Sequence, residues 1–124
     1  MKNRVIILAS LLGMSILSGC ASLYDDNESY QAVELYHNIN NLECSDEGLA
    51  IEQAAIIDDN VDWLIAYSEL KGSRDVNNLL LLMKTTTEPL AARESMSPTY
   101  CGLKKTLLQE QSRDVGTAIL RRNK

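Results

Sequence analysis

The chain has 124 residues, with 12 Lys+Arg against 17 Asp+Glu and a formal net charge of −5. That acidic balance argues against a nucleic-acid binder, which needs a basic face, and the length allows one domain and no more. Phe is absent and Trp occurs once while Leu, Ile, Ala and Val abound, the profile of a small helical domain rather than a β-sandwich.

The first stretch reads as an address. Lys2 and Arg4 form a positive start, Val5 to Leu17 an apolar run broken only by Ser10, Gly13 and Ser15, and Ser18-Gly19 the small residues before a cut. The run is too short for a membrane span of about 20 apolar residues. Leu17-Ser18-Gly19-Cys20 reads as a bacterial lipobox, so residues 1–19 are expected to be a cleaved lipoprotein signal peptide and Cys20 the lipidated first residue. Ala21, where an Asp would favour the inner membrane, points by likeness to other lipoproteins to the periplasmic face of the outer membrane. The mature chain then has ten bases against seventeen acids. Its contact with the membrane is expected to run through the N-terminal lipid.

Residues 20–28 carry small and acidic residues without periodicity and read as a tether, leaving 29–124 as the domain. Ala32, Leu35, Tyr36, Ile39 and Leu42 recur at helical spacing and predict a helix over about 29–43. Ser45-Asp46-Glu47 opens a second, over about 46–57. Asp58-Asp59-Asn60 interrupts the apolar run and predicts a third helix with the stripe Trp63, Leu64, Tyr67 and Leu70, ended by Gly72. Ser73 opens a fourth, with Val76, Leu79, Leu80 and Met83 on one face and Leu81 and Leu82 widening it. Thr85-Thr86-Thr87 and Pro89 predict a kink or break, with Thr87 able to cap a further turn. Ser97-Pro98 opens the last helix, bearing Cys101, Leu107, Leu108 and Val115; Gly116 leaves its continuation open. The expected fold class is all-α, a small four- to five-helix bundle with one disulfide.

With Cys20 lipidated, Cys44 and Cys101 remain, and in the oxidising periplasm an even pair is most simply a bridge. It would stabilise the fold by roughly 4 kcal/mol. Two free thiols as a redox or metal site lack a Cys-x-x-Cys spacing and a nearby further ligand. His37 is the single histidine, at the border of the first helix's apolar stripe, and reads as a surface residue rather than a catalytic one. Asp58, Asp59 and Asp62 lack the alternation and glycine of a calcium loop. No catalytic residue, metal, cofactor or small-molecule substrate is expected, and the chain reads as a binding protein rather than an enzyme. A small domain of broad apolar stripes can leave a hydrophobic groove for an amphipathic helix. Leu35, Ile39, Leu42, Leu79, Met83 and Leu107 are the candidate lining.

A lipobox near residue 20, a short tether, a helical domain, Leu42-Glu43-Cys44 at the end of the first helix and Tyr100-Cys101-Gly102-Leu103 at the start of the last together resemble the PulS/OutS-type pilotins of type II secretion systems. Trp63 matches the aromatic residue midway between the two cysteines. The resemblance implies a lipoprotein that binds the C-terminal segment of a secretin subunit, helical once bound, and directs the secretin to the outer membrane. The alternative is a protective immunity or exclusion lipoprotein that neutralises a toxin or blocks phage or plasmid entry.

Overall fold

In a computed structural model of the protein the described residues are 26–122; the expected signal peptide, Cys20 and the tether through residue 25 lie outside them. Among the described residues there are four helices and no strand: α1 Asp26–Asn40, α2 Glu47–Lys71, α3 Arg74–Ala91 and α4 Pro98–Arg122. No helix among them is long and apolar enough to cross a membrane. Each helix packs on its two chain neighbours, and α4 closes the ring on α1. Cross-links set the directions. Glu43 N–H donates to Gln53 Oε1 at 2.7 Å, Asn38 Nδ2 to Asn60 Oδ1 at 2.8 Å, and Lys71 Nζ lies 3.8 Å from Glu28, so α1 and α2 are antiparallel. Asn77 Nδ2 donates to Ser68 Oγ at 2.9 Å and Lys84 Nζ to Asp58 at 2.8 Å, which makes α2 and α3 antiparallel too. Leu35, Ile39, Ile57, Leu64, Leu80, Met83, Leu108 and Ile119 fill the centre from all four helices.

The helix ends follow local chemistry. Asp46 caps α2, its Oδ1 accepting from Leu49 N–H at 3.1 Å, and Ser97 Oγ likewise accepts from Tyr100 N–H at 3.1 Å above α4. Gly72 closes α2 at φ 74°, where a side chain would be strained. Its N–H reaches Glu69 O at 3.1 Å, and Ser73 N–H reaches Ser68 O at 2.9 Å.

Three expectations are corrected. Asp58-Asp59-Asn60 does not start a third helix, because α2 runs through it for 25 residues. Asp58 and Asn60 have partners on neighbouring helices instead of capping one. Lys84 Nζ, on α3, reaches Asp58 at 2.8 and 2.9 Å and Asp62 at 2.7 Å, while Thr87 Oγ1 donates to Asp58 Oδ1 at 2.7 Å. Of the stripe expected beyond it, only Leu64 is buried; Trp63 and Leu70 are exposed and Tyr67 is half-buried. Nor does α3 break at the threonines. Thr86 and Thr87 are buried along it, and Pro89 sits in its last turn, where it forfeits a single backbone bond before Ala92 N–H closes the end on Glu88 O. Leu81 and Leu82 do not widen the α3 core stripe; both face outward. Smaller shifts place α1 three residues earlier than the expected start, and α4 continues through Gly116 to Arg122.

Burial alone would depress the Lys84 ammonium, but the hydrogen bonds it donates to Asp58 and Asp62 outweigh it and hold Lys84 above the usual lysine range. A raised lysine stabilises the fold at every pH below its ordinary value. The contribution fades only in strongly alkaline solution, as pH climbs through the raised folded value. Lys84→Met should cost about 2 kcal/mol at neutral pH, since it strands the part-buried Asp58. Urea denaturation would show that loss shrinking in alkaline buffer. Cys44 and Cys101 are joined, with Cα atoms 5.4 Å apart across a separation of 57 residues. Replacing both by serine should lower the unfolding free energy by about 4 kcal/mol, to be read in the same denaturation series.

Candidate functional site

The seam between α1 and α4 is held tightly at one end and open at the other. At the tight end stands the Cys44–Cys101 bond, with Cys101 fully buried. Beside it Lys105 Nζ donates to Leu42 O at 3.0 Å, and Gln109 Nε2 to Asn40 Oδ1 at 3.0 Å. These contacts make the helices antiparallel. Each turn back along α1 is therefore matched by a turn forward along α4.

Further along, the seam opens into an apolar groove of about 310 Å³. From α1 it is lined by Ser29, Ala32, Val33 and Tyr36, and from α4 by residues that include Arg113, Gly116, Thr117 and Leu120. Both sets follow the i, i+3, i+4, i+7 spacing of a single helix face. Ala32 and the α4 residue Ile119 are buried at the floor, whereas Val33 and Leu120 are exposed lips. Gly116 gives the groove its room: a Cβ added there meets nothing within 4 Å. Its cost within a helix is about 1 kcal/mol relative to alanine.

One edge is polar. The Arg113 guanidinium and, more weakly, the Asn40 amide donate to the Tyr36 hydroxyl and lower its ionisation below the usual phenol range. An occupant would meet an apolar trough flanked by a cation and a hydroxyl. Two leucine-sized side chains buried there would contribute roughly 1.5–3 kcal/mol each. That is too little for tight binding without further contacts along the seam.

The six residues expected to line a groove are elsewhere. Leu35, Ile39, Leu42 and Met83 are buried in the core and have no surface left for a partner; Leu79 is half-buried against that core, and Leu107 is exposed but outside the groove. Their helical spacing signalled burial, and burial was satisfied within the bundle. The lining residues Val33, Gly116 and Leu120 lie beside the core stripes, where one helix read alone assigns them to solvent. His37 is exposed, its Nε2 2.9 Å from the Asn41 amide nitrogen. Among the described residues no group of three His, Cys, Asp or Glu side chains is placed to hold a metal. Cys20 lies outside the described residues.

Searches against family models, curated proteins and solved structures find no match to this chain. The Tyr36–Arg113 edge can be checked directly: Arg113→Met should move the ionisation of Tyr36 back up toward the ordinary phenol value. The alkaline absorbance titration, with Tyr36→Phe subtracted, isolates that hydroxyl from the other tyrosines.

Proposed function

We propose that this protein is a lipid-anchored binding protein of the outer membrane's periplasmic face whose α1–α4 groove holds one helical segment of a client. The observation that carries the reading is the open apolar groove with its cavity at Gly116. An apolar trough between two helices suits a third helix presenting side chains one turn apart. Position adds support. From a lipidated Cys20 to Asp26 the chain can span at most roughly 20 Å, so the groove end of α1 would stay close to the membrane. A client held there would be carried wherever the lipid goes.

The form of this function that the sequence resemblance implies is a pilotin, with the C-terminal segment of a secretin subunit as the client. Arg113 at the groove's edge is suited to an acidic side chain or a terminal carboxylate on that segment. Electrostatics of this kind would govern rate and register more than affinity.

Gly116→Leu tests the reading, because it fills the groove while replacing a poor helix former with a good one. A peptide of the host secretin's C-terminal segment should gain helicity on mixing with the native protein and stay disordered with the variant, as read by circular dichroism. The melting temperature of Gly116→Leu should equal or exceed that of the native protein. In cells, deletion should leave the secretin in the inner membrane, and Gly116→Leu should fail to restore it. If deletion leaves the secretin in place but exposes the cell to a toxin, phage or plasmid, the protective reading replaces this one.

A further inference from the structure

The outer surface of α2 carries a second apolar feature, far from the groove in chemistry. Leu49, Ile56, Trp63 and Leu70 recur at every seventh position, and they are 40%, 53%, 42% and 89% exposed. Residues seven apart on a helix drift by only about 20° per repeat, so the four form one continuous stripe. It runs for roughly 32 Å at 1.5 Å per residue. Trp63 stacks on Tyr67 with ring centroids 5.0 Å apart, which presents a fixed aromatic platform in the middle of the stripe. Isolated exposed leucines are ordinary on a surface. A row at every seventh position, ending in a leucine that is 89% exposed, is instead a narrow apolar stripe along one side of the helix surface.

Charge selects what could cover it. From Glu47 to Leu70, α2 contains six acids and no lysine or arginine. Lys84 engages only Asp58 and Asp62 among these acids. Glu52 and Asp59 stand exposed at the positions three along from Leu49 and Ile56, beside the stripe. A second copy of α2 laid on this face would bring acid against acid, and an anionic lipid surface would be repelled in the same way. A basic helix would meet complementary charge from Glu52 and Asp59 along one edge of the stripe.

We propose that the Leu49–Ile56–Trp63–Leu70 face of α2, with Glu52 and Asp59 beside it, docks an amphipathic helix whose apolar seam is flanked by lysine or arginine. This site is independent of the α1–α4 groove, and either can fail without the other. Trp63, the one tryptophan of the chain, lies in the stripe and reports on its occupancy.

The test uses the mature chain with Cys20→Ser, so that neither lipid nor detergent competes, and a tryptophan-free helical peptide with leucine at every seventh position and lysine flanks. Trp63 emission should shift to the blue and saturate. Ile56→Glu, at an exposed position that leaves the fold intact, should weaken binding about tenfold or more. High salt should weaken it further, and Gly116→Leu should leave it unchanged. The proposal is overturned if emission does not respond, if Ile56→Glu binds as well as the native chain, or if a glutamate-flanked peptide binds equally. It is also overturned if Gly116→Leu abolishes binding, or if sedimentation shows a dimer that Ile56→Glu dissolves, which would assign the face to a second copy.

Discussion

The bond between Cys44 and Cys101 is the constraint from which the rest of this bundle is arranged. α1 is the shortest of the described helices, 15 residues, and it closes the ring against both α2 and α4. Helices of that length are marginal on their own. Tying the residues just beyond its end to the start of α4 sets the register of the seam, and the amide and ammonium contacts of Gln109 and Lys105 then follow within the next turns. The groove lies away from this covalent link, where at Gly116 α4 offers no side chain to fill the gap.

The second determinant is polar. Asp58, Asp62, Lys84 and Thr87 join α2 to α3 across a part-buried contact, in a region where an apolar core alone would allow the two helices to slide along one another. Charged groups of this kind contribute little net stability compared with apolar packing of the same volume. They do penalise every register in which a partner is missing. A long helix with apolar residues on more than one face, paired with a leucine-rich one, benefits from such a constraint more than from another leucine.

These two determinants were unequally legible in the sequence. The helical class, the cap at Ser97, the stop at Gly72 and the cysteine pairing could be read locally, because each depends on a residue type acting on its own backbone or on a count. Asp58-Asp59-Asn60 could not. An acid that caps a helix and an acid that reaches across to a lysine 26 residues away are the same letters, and only the neighbour distinguishes them. The groove was hidden for a related reason. Leu35, Ile39 and Leu42 announce burial without saying against what, while Val33, Gly116 and Leu120 acquire meaning only when two helices are laid side by side. Once the cysteine pair is accepted, counting back along α1 and forward along α4 brings those residues together. That step requires the bridge to be treated as a ruler rather than only as a source of stability.

The alternation of helix directions has a practical consequence. With the four described helices antiparallel in a ring, the start of α1 and the end of α4 emerge side by side, at the open end of the seam. Any tag, dye or fusion partner attached beyond the C-terminal end of α4 would therefore crowd the groove. The connection between Ala91 and Pro98 lies at the opposite pole, past the disulfide. A reporter inserted there would leave both ends of the chain as they are, and it is the place from which this protein can be followed without being obstructed.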